Sequence, residues 1–361
     1  MRTAVMTAVR WHGRRDVRIE TVPRAARPGP GEVRVRVAWC GLCGTDVHEY
    51  RSGPVKIPLD RHPVTGRCAP IVLGHEISGW IDALGPDVAE TTGLAAGGLV
   101  ALNALLPCGN CAECAHGAFH LCRSLGHLGM SADGGLAEFV TVPASMVVPT
   151  PIGMDAAVAG LAEPFAVAMH AVRQAGRPAG SDCLVIGAGT IGLAVALVLR
   201  ADYNAVRLLD VAPERVRHAN DLGLEARLIS AAERSANLVA EPPAPVVFEC
   251  SGAAEAPALA ISLAAPGGLA VLAGLPESHT TVDFTTVVLR EVRVVGTISQ
   301  LAHADMAPAL SFLSRHAGLA ERLVTARIPL IAAVEQGLDV LAGPEGGRHA
   351  KVLVRVAGCG D

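Results

Sequence analysis

Apolar residues follow two different patterns on the two sides of residue 163. Before it, short valine-rich stretches alternate with turns such as "RPGPGEV" and "VPASMVVPTPIGM", a pattern typical of a mostly-β domain. After it, short apolar runs recur at the spacing of βαβ units and predict parallel strands with their following turns at 184–186, 206–210, 245–252, 267–274 and 291–299. The tail after residue 300 has helical runs and ends in "KVLVRV", a strand that can rejoin the first domain. We therefore expect a mostly-β domain over 1–163 and 301–361, and an α/β domain with a parallel sheet over 164–300.

A glycine-rich turn, "GAGTIG", follows the first predicted parallel strand, and an apolar helical stretch begins at once. Gly187, Gly189 and Gly192 fit G-x-G-x-x-G: the first permits the turn, the second lets a pyrophosphate approach, and the third allows close helix–strand packing. The phosphates would lie at the helix N-terminus, where unpaired N–H groups and the helix dipole favour anions. Thr190 and Ile191 belong to the same candidate cofactor site. A Rossmann-like domain that binds no nucleotide is the alternative for such a turn taken alone.

An acidic residue strengthens the prediction of a dinucleotide site. Asp210 ends the second predicted strand, 18 residues after Gly192, near the spacing of about 20 expected for a carboxylate that binds the adenosine ribose. A 2′-phosphate at that position would be repelled, so we expect NAD rather than NADP, whereas the alternative uses Arg215 as a phosphate clamp. Because ligands bind at the carboxyl ends of parallel strands, we expect further residues at those ends to contact the nicotinamide half of the cofactor. They are Glu249–Gly252 with Ser251, Gly274, and Gly296–Thr297.

Four cysteines cluster in "PCGNCAECAHGAFHLC", with two, two and seven residues between neighbours. Cys-x-x-Cys turns present two sulfurs to one ion without strain, and zinc prefers four thiolates in a tetrahedron. Such a site has no open position for substrate, so we predict a structural zinc lobe at about 107–123 with the ligands Cys108, Cys111, Cys114 and Cys122. The chain has ten cysteines and no recognisable export signal, which favours metal ligands and buried thiols over disulfides.

A second set of metal-binding side chains is spread over three motifs. They are Cys43 in "GLCGTDVHEY", His75 and Glu76 in "LGHEISG", and Glu163 in "LAEPFAVAMHAV". A mixed sulfur, nitrogen and oxygen set suits a catalytic zinc that keeps an exchangeable position. The residues alone leave alternatives open, because Cys40 also completes a Cys-x-x-Cys pair and His75 also fits a buried core histidine. The sequence is equally compatible with Glu76 as a direct metal ligand and with Glu76 just outside the coordination shell.

Together these motifs resemble the zinc-dependent medium-chain dehydrogenase/reductase family. The resemblance covers essentially the whole chain, from "GLCGTDVHEY" and "GHE" through the four-cysteine lobe, "EPF" and "GAGTIG" to "KVLV". It implies a Rossmann coenzyme domain, a GroES-like catalytic domain and two zinc ions, one catalytic and one structural. In that family the cysteine of "CGTD" binds the catalytic zinc, which carries over to Cys43 and makes Cys40 a packed neighbour. The "GHE" pair and the "EP" glutamate carry over to His75, Glu76 and Glu163.

The resemblance also implies which branch of the family the sequence belongs to and which reaction it catalyses. The polyol-type branch uses a glutamate as its last protein ligand or water anchor where the alcohol-type branch uses cysteine, and this sequence has Glu163. The insert "HPVTGRCAPIVLGHE" resembles that of the (R,R)-2,3-butanediol dehydrogenases, so the expected reaction is NAD-linked interconversion of a vicinal diol and a hydroxyketone. Thr45 and His48 match the family's proton relay, and turn-forming and surface roles are their alternatives. A sorbitol-type polyol dehydrogenase, an L-threonine 3-dehydrogenase and a non-catalytic nucleotide-binding protein are the competing functions.

Charge and hydropathy bear on the other classes of partner. The net charge is −4 and no block of five or more like charges occurs, which argues against nucleic acid or anionic membrane as the main partner. "LVIGAGTIGLAVALVLR" is shorter than the roughly 20 residues that span a membrane, and the N-terminal stretch mixes charged and apolar residues too finely for a signal peptide. We expect a cytoplasmic homodimer or homotetramer that acts on a small-molecule diol or hydroxyketone.

Overall fold

The computed structural model describes residues 4–176, 180–202, 205–235, 239–276 and 278–356, apart from the side chain of His303. The strands are β1 (Val5–Gly13), β2 (Asp16–Pro23), β3 (Glu32–Leu42), β4 (Ile71–Val72), β5 (Glu76–Leu84), β6 (Leu99–Leu102), β7 (Leu105–Leu106), β8 (Gly126–His127), β9 (Phe139–Pro143), β10 (Val147–Pro149), β11 (Asp182–Ile186), β12 (Ala205–Asp210), β13 (Glu225–Leu228), β14 (Ala244–Glu249), β15 (Ala264–Leu272), β16 (Arg293–Gly296), β17 (Val324–Pro329) and β18 (Lys351–Arg355).

The α-helices are α1 (Gly44–Ser52), α2 (Val88–Thr92), α3 (Ala112–Ala115), α4 (Ala156–Ala159), α5 (Ala162–Gln174), α6 (Thr190–Ala201), α7 (Pro213–Asp221), α8 (Ala231–Ser235), α9 (Ala256–Leu263), α10 (Phe284–Leu289), α11 (Ala307–Arg315), α12 (Ala317–Leu323) and α13 (Asp339–Ala342). Short 3₁₀ turns lie at Phe119–Leu121, Ala144–Met146, Leu330–Ala332 and Pro344–Arg348, and π-helical turns at Ala302–Met306 and Ala333–Leu338. None of the described helices is long and apolar enough to cross a membrane.

The chain divides into two compact units. The first consists of Met1–Glu163, Leu301–Gly346 and Lys351–Asp361, and the second of Pro164–Gln300 and Gly347–Ala350. The sequence-based division placed Gly347–Ala350 with the first unit. In the structure this short segment lies with the second, where Oγ1 of Thr190 donates a hydrogen bond to the Ala350 carbonyl.

The first unit is built mainly from antiparallel strands. Its large sheet has the order β10-β6-β5-β3-β18-β17, with β9 also pairing with β3, while β2-β1-β4 and β7-β8 form two smaller sheets. Along β3, Val33, Val35 and Val37 are buried in the core between half-buried arginines, the alternation expected of a strand with one apolar face. The predicted C-terminal strand is β18, which pairs with β3 and β17. Strand β17 was not predicted from the sequence.

The second unit contains a six-stranded sheet in the order β13-β12-β11-β14-β15-β16, in which all neighbours are parallel. This is the doubly wound order of dinucleotide-binding domains, so the predicted Rossmann sheet is confirmed. The largest differences from the predicted boundaries are in the last two strands. The strand predicted at 291–299 is confined to β16, because Glu291 (φ 51°) and Ser299 (φ 58°) have left-handed backbone conformations. The strand predicted from residue 267 begins three residues earlier as β15, with Gly267 at a φ of 72° inside it.

Candidate metal centres and cofactor site

The four cysteines of the predicted zinc lobe lie together in the first unit. The Sγ atoms of Cys108, Cys111, Cys114 and Cys122 all lie within 4.8 Å of one another. Gly109 (φ 76°) and Gly117 (φ 73°) adopt left-handed conformations, which allow the tight turns between these cysteines.

The backbone of the lobe stabilises the thiolate of Cys108, whereas burial raises the pKa of the Cys114 thiol to about 12. The N–H of Asn110 is the main cause that lowers the pKa of the Cys108 thiol to about 6. The N–H of Cys108 in turn donates to Sγ of Cys122 over 3.2 Å. Cysteine binds metal as the thiolate, and four sulfur atoms this close together form a donor set that fits a zinc ion.

A second group of donor atoms lies at one end of the large sheet of the first unit. Strands β3 and β5 are antiparallel neighbours with Gly41 opposite Glu76, so the loop after β3 meets the residues at the start of β5. Sγ of Cys43, a ring nitrogen of His75 and a carboxylate oxygen of Glu76 all lie within 4.8 Å of one another. We call these three residues the mixed-donor cluster. Their side chains come from a thiolate, an imidazole and a carboxylate, which is the donor set expected of a catalytic zinc.

Helix α1 carries the residues that follow Cys43. Cys43 is the N-cap of this helix, and its N–H donates to Oδ2 of Asp46 over 2.9 Å, which fixes the loop. Oγ1 of Thr45 lies 3.7 Å from Sγ of Cys43. His48 is half-buried one turn further along the same helix. The decapeptide thus places both predicted relay residues on the helix that begins at the cluster.

His75 lies beside the buried carboxylate of Asp46. Its Nδ1 lies 3.7 Å from Oδ1 of Asp46, and neither atom has a hydrogen-bond partner among the described residues. Burial lowers the pKa of His75, but the charges of Asp46, Cys43 and Glu163 together with a Cys43 hydrogen bond raise it to about 10. The surrounding charges therefore favour a positive charge at this ring, and a bound metal ion would supply it.

Glu76 is held by a lysine that the sequence analysis did not identify. Nζ of Lys351 lies 2.7 and 2.6 Å from the two carboxylate oxygens of Glu76 and donates to the Leu42 carbonyl over 3.0 Å. Both charged side chains are 1% exposed. Burial lowers the pKa of Lys351, but the Glu76 carboxylate outweighs it and the pKa is raised overall. The pair is therefore a buried salt bridge, and both oxygens of Glu76 are already hydrogen-bonded.

Gly41 explains how the Glu76 carboxylate reaches its position. The carboxylate lies directly over the bare backbone of Gly41, where any Cβ would collide with Oε2 of Glu76. A side chain at position 41 would therefore displace the glutamate from Lys351 and from the mixed-donor cluster.

The other two candidate donors lie in different surroundings. Glu163 is buried in the first turn of α5, and its charge acts on both His75 and Lys351. Cys40 is a fully buried member of the hydrophobic core, and burial raises the pKa of its thiol well above the usual value. Among the described residues, neither belongs to the group of donor atoms within 4.8 Å.

A second histidine lies beside the cluster and was also missed from the sequence. The rings of His127 and His75 are 5.0 Å apart between centroids, at an interplanar angle of 76°. Nδ1 of His127 lies 2.8 Å from the Leu128 carbonyl, so this nitrogen carries a proton and donates it. Burial and the neighbouring charge of His75 lower the pKa of His127 to about 3, which keeps the ring neutral.

The glycine turn of the second unit has the geometry that the motif predicts. Gly187 has a φ of 100°, a left-handed conformation that favours glycine. A Cβ on Gly192 would collide with the Gly187 carbonyl, which shows the close approach of α6 to the turn. The space above Gly189 is open, with Nη1 of Arg215 the nearest atom at 3.9 Å. A ligand can therefore approach the backbone at the second glycine of the motif.

Asp210 ends β12 beside this turn. Its Oδ2 accepts a hydrogen bond from the Ala188 N–H over 2.6 Å, and its Oδ1 accepts from the Ala212 N–H over 2.8 Å. It lines a cavity of about 80 Å³ together with Gly187, Arg215, Arg234 and Ser251. Arg234 is paired with Glu255 over 2.8 Å. Nε of Arg215 is buried and has no partner in the described part of the chain, so it offers a cationic donor to an anion.

The remaining predicted cofactor residues lie at the same edge of the sheet. Oγ of Ser251 donates to Oε1 of Glu249 over 2.7 Å. Gly274 follows β15 and Thr297 follows β16, where the Thr297 N–H donates to the Leu272 carbonyl over 2.9 Å. Thr190 and Ile191 form the start of α6.

Comparison with known proteins assigns the chain to a family. Residues 29–152 match the alcohol dehydrogenase GroES-like domain, and residues 187–315 match the zinc-binding dehydrogenase family. The (R,R)-butanediol dehydrogenase of Bacillus subtilis is 32% identical over 97% of this chain and 99% of its own length. The chain belongs to the zinc-dependent medium-chain dehydrogenase/reductase family. The protein is therefore an oxidoreductase that acts on a small molecule with zinc and a nicotinamide cofactor.

Two further comparisons extend this result. The crystal structure of 2R,3R-butanediol dehydrogenase from Bacillus subtilis superposes on this dehydrogenase with a TM-score of 0.85 and 31% identity, covering 97% of this chain and 99% of the other. A sorbitol dehydrogenase of Halalkalibacterium halodurans is 32% identical over 87% of this chain and 89% of its own length. The predicted family and fold are confirmed, and both a diol and a polyol enzyme are among the relatives.

Proposed function

We propose that this dehydrogenase oxidises one hydroxyl of a vicinal diol such as butane-2,3-diol to the hydroxyketone, or catalyses the reverse reaction, with NAD as cofactor. The observation that carries the proposal is the mixed-donor cluster of Cys43, His75 and Glu76, found in a chain 32% identical to a butanediol dehydrogenase over 97% of its length. Bound there, zinc supplies Lewis acidity, which lowers the pKa of a hydroxyl and polarises a carbonyl.

We assign the ligand roles within the cluster from the contacts of each side chain. Cys43 and His75 are the direct ligands, since Sγ of Cys43 and a ring nitrogen of His75 lie within 4.8 Å of each other and the charge of Asp46 favours a cation at His75. Glu163 lies outside the mixed-donor cluster, but its charge acts on His75, and we propose it as the last protein ligand or the anchor of a water molecule. Glu76 takes the outer position, because Lys351 already holds both of its oxygens.

Thr45 and His48 carry the proton in this proposal. The Thr45 hydroxyl takes the proton of the reacting hydroxyl and releases its own proton toward His48, and its Oγ1 at 3.7 Å from the Cys43 sulfur supports that role. His48 lies three residues further along α1, on the same helix face, and passes the proton to solvent.

The His48→Ala variant is expected to lose turnover mainly at acidic to neutral pH, by roughly 10- to 100-fold. At higher pH, hydroxide and buffer bases accept the proton directly, so the difference from wild type should shrink. The measurement is the pH profile of kcat. A profile that keeps the wild-type shape would remove His48 from the relay.

A substrate panel tests the proposed function. Initial rates of nicotinamide reduction or oxidation would be compared for butane-2,3-diol, acetoin, sorbitol and L-threonine. The vicinal diol and its hydroxyketone should have the highest kcat/KM of their respective directions. A clear preference for threonine or for sorbitol would refute the proposal and select one of the alternatives.

The four-cysteine lobe is proposed to hold a second, structural zinc. Cys111→Ala is expected to lower zinc content by about one ion per chain and to reduce the yield of folded protein, because structural zinc contributes folding free energy. Cys68→Ala is the matched control, since Cys68 is a half-exposed thiol outside both donor groups. A Cys111→Ala protein with wild-type zinc content and thermal midpoint would contradict the assignment.

NAD is proposed as the cofactor because the Asp210 carboxylate is fixed at the end of β12, where two more lone pairs can accept from the ribose hydroxyls. Arg215 is then available for the cofactor's pyrophosphate. An NADP enzyme would instead pair this arginine with the 2′-phosphate, next to a repelling aspartate.

Asp210→Ser is expected to lower kcat/KM with NAD by roughly 10- to 100-fold, the effect of losing one or more hydrogen bonds to a charged group. The efficiency with NADP should fall less or rise, so the ratio of the two efficiencies shifts toward NADP. The exposed Asp202→Ser is the control, with no expected shift. A wild-type enzyme that already prefers NADP would show that Asp210 does not have this role.

The subunit is proposed to form a homo-oligomer through the edge of the parallel sheet. Strand β16 is the edge strand of the described sheet, and Val294 and Ile298 near it are each 42% exposed. On the neighbouring α10, Phe284, Val288 and Leu289 are more than 70% exposed. An unpaired apolar edge favours pairing with a second copy about a two-fold axis. Light scattering of the purified enzyme tests this, and a monomer at micromolar concentration would contradict it.

A further inference from the structure

We propose that His127 binds the second hydroxyl of the substrate, the one that is not oxidised, and thereby selects vicinal diols over simple secondary alcohols. This inference rests on the proposed function and names the residue that would set its substrate class.

The position of His127 is fixed by its backbone. It lies in β8, and its N–H donates to Oγ of Ser131 over 2.8 Å. Its carbonyl accepts from the N–H groups of Ser131 and Ala132 over 2.9 and 3.1 Å. Together with the Nδ1 contact to the Leu128 carbonyl, these bonds hold the ring edge to face with His75, at 5.0 Å between centroids, so the side chain is a rigid neighbour of the mixed-donor cluster.

The hydrogen bond made by Nδ1 of His127 determines whether the other ring nitrogen, Nε2, acts as a donor or an acceptor. Because Nδ1 donates to the Leu128 carbonyl, Nε2 is the ring nitrogen whose lone pair is left to accept a hydrogen bond. Nε2 makes no hydrogen bond to any described residue, and the ring is only half-buried. The site therefore has one acceptor of fixed orientation that no described protein donor uses.

A vicinal diol supplies the matching donor. Its two hydroxyls are on adjacent carbons, so when one lies at the cluster the other lies only one carbon away and can donate to Nε2. A simple secondary alcohol places a hydrocarbon group beside Nε2. The nitrogen then loses its hydrogen bond to water and gains no other partner, which costs free energy. Sites built around a hydroxyl discriminate strongly against analogues that lack it.

The test compares butane-2,3-diol with butan-2-ol in the zinc-loaded wild type and in His127→Phe, which keeps an aromatic ring but has no acceptor. The ratio of kcat/KM for the diol to that for the monoalcohol should fall about 10- to 100-fold in the variant. The efficiency with butan-2-ol should stay within about threefold. His127→Asn, which keeps a side-chain acceptor, should recover part of the ratio. Thermal stabilisation of the wild type by the diol should likewise be reduced in His127→Phe.

The outcomes separate the inference from the proposed function. An unchanged ratio in a folded His127→Phe protein, or an equal loss on both substrates, overturns the role of His127 while diol oxidation by the wild type stands. A wild type that oxidises butan-2-ol as well as the diol refutes the proposed substrate class itself. If His127→Phe does not fold, 3-methoxybutan-2-ol tests the wild type, because its ether oxygen cannot donate. The kcat/KM for 3-methoxybutan-2-ol should be as low as that for butan-2-ol. A kcat/KM equal to that for butane-2,3-diol overturns the inference.

Discussion

Replacing Cys43 with alanine is expected to reduce kcat/KM for the diol by about 10³-fold or more while the protein stays folded. Loss of a direct ligand removes the metal whose Lewis acidity contributes several kcal/mol to transition-state stabilisation. Zinc content should fall by about one ion per chain, whereas the thermal midpoint should change little, because Cys43 is half-buried at the N-cap of α1 and not in the core. Activity assays and metal analysis of the same preparation provide the measurement.

Cys40→Ala is the matched control for this variant. Cys40 is three residues earlier and completes the same Cys-x-x-Cys pair, but its side chain lies in the hydrophobic core. Its loss should leave zinc content unchanged and lower stability modestly, by about 1 kcal/mol for a small buried group. If Cys40→Ala loses the metal and Cys43→Ala keeps it, the ligand assignment is reversed.

Lys351→Met is expected to lower the thermal midpoint of the protein by about 10 °C. The substitution keeps a long apolar side chain but leaves the Glu76 carboxylate buried at 1% exposure without its counter-ion. Removing one partner of a buried ion pair costs about 3–5 kcal/mol, and each kcal/mol shifts the midpoint by about 2–4 °C for a unit of this size. Differential scanning calorimetry measures the shift.

The double variant Glu76→Gln with Lys351→Met is the control, because it removes both charges together. It should recover much of the midpoint lost by Lys351→Met alone, which a mere packing role for Lys351 does not predict. If the single and double variants lose the same stability, the account of a charge-compensated Glu76 is wrong.

The parts of the site that the sequence predicted are those encoded by contiguous motifs. The four-cysteine lobe, the glycine turn and the Cys43 decapeptide each fix their own local geometry, because their spacing determines which atoms can meet. The same holds for Asp210, whose distance from the glycine turn along the chain follows from one βαβ unit.

Lys351 and His127 were missed because tertiary pairing alone brings them to the site. Lys351 reaches Glu76 only when β18 pairs with β3, across 275 residues of sequence. The sequence does place a lysine at the start of the apolar stretch "KVLVRV". A lysine at the end of a strand is usually exposed to solvent, so its position alone does not indicate burial. His127 follows the zinc lobe in "GHLGM" and has no recognisable motif of its own. Only the fold shows that its ring touches His75.

Zinc reconstitution of the metal-stripped enzyme tests the central claim most directly. Wild type and Cys43→Ala would be stripped with a chelator, checked for retained fold, and titrated with zinc while diol-dependent reduction of NAD is recorded. The account predicts no diol oxidation by the stripped wild type, recovery in proportion to zinc bound, and no recovery in Cys43→Ala. Full diol oxidation by the metal-free wild type, or equal recovery in Cys43→Ala, would contradict it.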